Sequence, residues 1–146
     1  MSWDFNPFTG TFDYTSESAS QFVVEASKRL QITKTANENL SKGDLIKLDD
    51  DVSCSKAGVD SFANASVVGL ALDNYTSGQQ ATILIMGIFD DPMFSSIAFG
   101  EPVFQNASGQ LTINATTIVG EFFCRVGKSY GNGVILIKPE EPVEVT

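Results

Sequence analysis

Val67-Val68-Gly69-Leu70-Ala71-Leu72-Asp73, a loop over residues 74–79 that holds Gly78, and then Ala81-Thr82-Ile83-Leu84-Ile85-Met86 form the stretch that decides the fold class. Each apolar run has the length of a strand, and turn residues bound it on both sides. The two runs predict neighbouring β-strands in a sheet buried on at least one face.

The same pattern continues in both directions. Upstream, Ser41-Lys42-Gly43-Asp44 reads as a turn that launches Leu45-Ile46-Lys47-Leu48, and Asp49-Asp50-Asp51 ends that strand. Downstream, Phe99-Gly100-Glu101 leads into a strand over 102–105, and Asn106-Ala107-Ser108-Gly109 turns into another over 111–113. Residues 118–126 and 134–137 predict a last pair joined by a loop containing Gly131-Asn132-Gly133. Pro139 and Pro142 then leave an extended acidic tail over 139–146. Short strands with a turn every 8–12 residues or so indicate a β-sandwich or barrel. There is also an internal echo. Val68-Gly69 followed by Ile83-Leu84-Ile85 parallels Val119-Gly120 followed by Ile135-Leu136-Ile137, which suggests two related hairpins.

Between the strands, Gly87-Ile88-Phe89-Asp90-Asp91-Pro92-Met93-Phe94 reads as a loop, although loops are usually polar. Its apolar members, Ile88, Phe89, Met93 and Phe94, are expected either to cap the open end of a barrel or to form an intersubunit patch.

Residues 1–20 have a different character. Trp3, Phe5, Phe8, Phe12 and Tyr14 are five of the fifteen aromatic residues, gathered in fourteen positions around the turn signals Asn6-Pro7 and Thr9-Gly10. A polar spacer follows, Thr15-Ser16-Glu17-Ser18-Ala19-Ser20. Burying one large ring stabilises by roughly 1.5–3 kcal/mol, so an arm with five rings calls for a docking surface, on its own domain or on a neighbouring subunit. The domain proper is assigned to residues 21–146. Residues 21–32 fit a short helix with Ser18 as its cap, and they equally fit a strand with Phe22, Val24 and Ala26 on one face. Strand character is favoured over 29–35, where Leu30 and Ile32 alternate with polar neighbours.

At 146 residues with 42% hydrophobic content, the chain is long enough for one self-sufficient core. No apolar run approaches the roughly 20 residues that span a bilayer, and the first residues do not read as a secretory leader. The net charge of −9 without a basic stripe argues against a nucleic-acid partner. Cys54 and Cys124 are expected to be buried small side chains in a reducing compartment, with a disulfide as the alternative. Five Asn-x-Ser/Thr triplets, beginning at Asn39, Asn64, Asn74, Asn106 and Asn114, read as turn composition.

The chain contains no histidine. That removes Ser-His-Asp and Cys-His catalysis and most zinc sites. Asp49-Asp50-Asp51 and Asp90-Asp91 lack calcium-loop spacing. No catalytic residues, metal or cofactor are assigned, and the chain is not expected to be an enzyme.

Taken in order, Gly43-Asp44-Leu45-Ile46, Val68-Gly69-Leu70-Ala71, Gly100-Glu101-Pro102-Val103-Phe104, Gly109-Gln110-Leu111-Thr112, Val119-Gly120 and 134–137 resemble the small head-decoration and capsid-cementing proteins of tailed bacteriophages. The match spans about residues 40–138. Trp3-Asp4-Phe5-Asn6-Pro7-Phe8-Thr9-Gly10 is also similar to openings of phage virion proteins. The resemblance implies an all-β, β-tulip-like barrel or sandwich on the outer capsid surface, assembled in the host cytoplasm. It further implies the major capsid protein as partner, homo-oligomers with trimers favoured, no nucleic acid or membrane partner, and an arm reaching across capsomers. It brings no catalytic residues. Two other readings stand beside it: a head-fibre or tail-associated anchoring module, and a carbohydrate-binding β-sandwich.

Overall fold

A computed structural model describes Phe5–Asn6, Thr11–Phe12 and residues 29–146. The expected division into an arm over 1–20 and a domain from 21 falls largely outside them. Within the arm, β1 (Phe5–Asn6) and β2 (Thr11–Phe12) pair antiparallel, with Phe5 opposite Phe12 and Asn6 opposite Thr11.

The body is all-β, as expected. β3 (Arg29–Ala36), β4 (Leu45–Leu48), β5 (Ser53–Lys56), β6 (Gly69–Ala71) and β7 (Gln80–Asp90) close into a ring. Its order is β3-β5-β4-β6-β7, and β7 returns to β3. Only the β3–β5 pairing is parallel. A short helix, α1 (Phe62–Ala65), lies between β5 and β6. A five-stranded ring leaves little space inside, and the interior is correspondingly small-chained. Ala36, Ile46, Cys54, Ala71, Ala81 and Ile83 meet there, with contributions from all five strands.

The ring wall is buried on both sides. Leu45, Leu70 and Leu84 are each adjacent in sequence to an interior residue, and they point outward into a second core. That core is closed by β8 (Pro102–Gln105), β11 (Arg125–Gly131) and β12 (Val134–Ile137), through Val103, Val126, Ile135 and Ile137. These strands continue the sheet from β7 in the order β12-β11-β8, with β9 (Leu111–Thr112) at the edge. Dual burial explains why Ile83-Leu84 and Leu70-Ala71 are unbroken apolar runs, whereas half-buried strands alternate.

β7 belongs to both halves, and a bulge lets it do so. Leu30 pairs with Met86 but Gln31 pairs with Leu84, so Ile85 is the extra residue. The bulge inverts the alternation of side chains, so that Leu84 and Phe89, five positions apart, enter the same core.

Two glycines permit close backbone approach. A Cβ on Gly69 would lie 2.2 Å from the carbonyl oxygen of Leu84, and one on Gly127 would lie 1.8 Å from that of Leu136.

Several expectations need correction. Residues 87–94 are not a loop: Ile88 and Phe89 lie in β7, and Pro92–Phe94 forms a 3-10 turn. The strand expected over 118–126 forms only in the second half of that range. Ile118 and Val119 are exposed outside any strand, a short β10 (Phe122–Phe123) follows, and the partner of β12 is β11. Gly120 takes φ of +91°, a turn conformation that only glycine adopts readily, so Val119-Gly120 is not part of the second hairpin of the internal echo; that hairpin is β11–β12, which begins at Arg125. The acidic tail is partly a strand: β13 (Val143–Glu144) pairs with β10. By contrast, Cys54 and Cys124 are buried free thiols, as expected, and they lie in separate cores.

Candidate protein-docking surface

The four residues expected to act together, as a cap on a barrel end or as an intersubunit patch, are split by the bulge and the turn after β7. Phe89 is 5% exposed and Phe94 9%, and their rings meet at 5.8 Å within the second core. Both serve packing. Ile88 is 40% exposed and Met93 50%. They lie on different features of the surface.

Met93 is fixed by the 3-10 turn. The Asp91 carboxylate accepts a hydrogen bond from its backbone N–H at 2.9 Å, and Lys42 pairs with the same carboxylate. The Lys42 ammonium holds Asp91 below the usual carboxylate range, and Asp91 in turn raises Lys42. Met93, Phe94, Ile97, Leu111 and Ile113 line an apolar groove of about 310 Å³.

Ile88 belongs to a broader surface on the outward face of the second sheet. Residues opposed across a ladder share a face. Ile88 is opposite Leu136 on β12, Leu136 is opposite Lys128 on β11, and Lys128 is opposite Pro102 on β8. One row nearer the ring, Leu30 is opposite Met86. Leu30 is 54% exposed and Met86 47%. Leu30 lies two residues from Ile32, which packs against the ring interior. The apolar row of the interior therefore continues out of the ring's mouth and along the sheet. Lys128 and Lys138 are exposed at its rim, and Asp90 stands at its far end. Sequence patterning did not single out Leu30, Met86 and Leu136 as surface residues. The signal was present in the length of the apolar run, but only the bulge turns that run outward.

A depression of about 480 Å³ is polar and open, and its lining includes Glu38, Lys47, Lys56, Asp60, Asn64 and Glu121. Among the described residues, no group of three or more Cys, Asp or Glu side chains could hold a metal ion. None of the described helices is long and apolar enough to cross a membrane.

The arm residues Trp3, Phe8 and Tyr14 lie outside the described residues. Phe5 and Phe12 are described only as backbone register partners in the β1–β2 hairpin.

Comparison with solved structures gives a faint likeness. "The crystal structure of head fiber gp8.5 N base in bacteriophage phi29" is similar over 80% of this chain and 98% of that chain, with 14% identity and a TM-score of 0.44. No family model matches the chain. No curated protein matches it either.

Proposed function

We propose that this chain is a structural protein of a tailed-phage virion that attaches to the outside of the head and straps neighbouring subunits together. The ordered motifs over residues 40–138 support that reading, as does the concentration of aromatic residues in the arm. The single observation that carries most weight is the outward strip of exposed Met86 and Ile88 with half-buried Leu136 beside them, an apolar face on a body whose two cores are already closed. Contiguous apolar exposure of this kind marks an interaction surface. The mechanism is mechanical. A body that binds only the assembled particle stabilises that state by mass action, and weak contacts repeated on a lattice add through high effective concentration.

Removing residues 1–15 should leave a protein with an unchanged thermal transition that no longer co-sediments with phage heads. Full occupancy by the truncated protein would defeat the strap reading. A head-fibre or tail-associated anchoring module is the second reading. The faint likeness to a head-fibre base carries no weight between the two; copy number does. A decoration protein is present in proportion to the capsid lattice, and an anchoring module is confined to a few sites. A carbohydrate-binding role would show itself as retention on a glycan array.

A further inference from the structure

We infer that the strip formed by Met86, Ile88 and Leu136, rimmed by Lys128 and Lys138, is the seat for the aromatic N-terminal hairpin of a second copy of this chain. The inference rests on the arm being the strap, and it identifies the neighbour the arm reaches.

Chemical complementarity is the first argument. The arm alternates rings with acids, in Trp3-Asp4-Phe5 and again in Phe12-Asp13-Tyr14, and residues 1–14 contain no lysine or arginine. The strip presents the matching elements: three apolar side chains in adjacent rows, with Lys128 directly across from Leu136 in the ladder and Lys138 two residues beyond Leu136 on the same face. Ammonium groups beside an apolar strip can pair with the aspartates and pack against ring faces. In a chain with a net charge of −9, a patch that is both apolar and basic is a selective place for an acidic segment to land.

Chain length is the second argument. The described body begins at Arg29, which is opposite Gly87, between Met86 and Ile88. The strip is therefore one or two strand spacings away, about 5–10 Å. Residues 13–28, between the hairpin and Arg29, can extend to roughly 50 Å. A return to the chain's own strip would use a small part of that reach. The full reach clears a body whose radius of gyration is about 13 Å, which suits an adjacent copy. Exchange of arms between identical copies builds closed assemblies when the rotation between them closes.

Trp3 is the only tryptophan, so its fluorescence reports on the arm alone. The full chain should self-associate in sedimentation velocity without any phage head present. Trp3 emission should shift from blue to solvent-like on dilution through the same concentration range. Ile88→Asp, an outward-facing change whose fold is checked by circular dichroism, should raise the half-association concentration by about tenfold or more. Lys128→Glu should act in the same direction and lessen the salt sensitivity of association. Blue-shifted Trp3 emission that persists at full dilution would place the arm on its own body and overturn the inference. So would association unaffected by both variants, or solvent-like emission at every concentration. Head binding is not part of this assay, so its failure would be separate from failure of the strap reading.

Discussion

The backbone N–H of Cys124 donates to the side-chain oxygen of Gln105 at 2.8 Å, deep in a region where neither residue is exposed. The amide nitrogen of Gln105 donates to the carbonyls of Gly58 and Phe122 at 3.1 and 3.2 Å. One side chain thus ties β8 to the ring and to the start of β11. Gln105→Leu keeps the volume and leaves the buried N–H of Cys124 and the half-buried carbonyls of Gly58 and Phe122 without their partner. A loss of about 1–3 kcal/mol follows, because a buried orphaned group costs roughly that much and the half-buried carbonyls cost less. Chemical denaturation measures it, and a loss under about 1 kcal/mol would contradict this account.

Gly127→Ala should be more damaging than its modest chemistry suggests. The added methyl would meet the Leu136 carbonyl, which is fixed in the β11–β12 ladder. Gly69→Ala meets the Leu84 carbonyl in the same way within the ring. Overpacking usually costs about 1–3 kcal/mol, and a clash with ladder backbone belongs at or above that limit. Gly78→Ala is the control, because nothing lies within 4 Å there and the cost comes from its φ of +93° alone. Melting temperatures of the three variants should rank Gly78→Ala highest.

Acid should unfold the protein through its lowered carboxylates. Burial opposes ionisation of Asp49, but hydrogen bonds from Lys47, Asn37 and Ser55 outweigh it and hold that carboxyl below its ordinary value. Hydrogen bonds from the Val52 and Ser53 N–H groups lower Asp50, and Lys42 lowers Asp91. For these groups the unfolded chain binds protons first. Their contribution is complete above about pH 4 and disappears as pH falls through the lower folded values. Asp44 works in the opposite sense: burial raises it, so its protonation on acidification restores some stability. The melting temperature of Asp49→Asn should therefore depend less steeply on pH below about pH 4. Asp44→Asn should melt no lower than the parent at neutral pH, because the amide can still accept the Ser41 N–H bond. A steeper acid dependence in Asp49→Asn would refute the assignment.

Neither thiol should react in the folded protein. Burial pushes both Cys54 and Cys124 up, and the Cys124 thiol also lies 3.0 Å from the Glu140 carbonyl. Thiolate is the reactive form, so alkylation at mildly alkaline pH should wait for unfolding. Mass spectrometry of the native protein would show two unmodified cysteines, and rapid labelling of either would require a local opening of its core.

How far the sequence could be read depended on which physical signal each element carried. Strands such as β6 and β12 are apolar runs between turn residues, and they stood out for that reason. β5 was not anticipated, because Ser53-Cys54-Ser55-Lys56 looks like loop composition. It is a strand because the ring must close: Cys54 fills the narrow interior, and its polar neighbours find partners, as Ser55 does with Asp49 at 2.8 Å. Val119 shows the reverse error, an apolar residue that is 75% exposed beside a glycine turn. For the candidate surface, the pattern correctly marked 87–94 as unusual but assigned all four apolar residues alike. The bulge at Ile85 sends Phe89 inward and Ile88 outward, and a one-residue bulge leaves no mark in composition.

The eleven residues of β7 are shared between the closed ring and the sheet that carries the strip. Traction on Ile88 would run lengthwise through β7 and load its flanking ladders in shear, so the bonds to β3, β6 and β12 would have to give way together and not one at a time. The ring then acts as a rivet head, and the two halves should yield as one unit under tension.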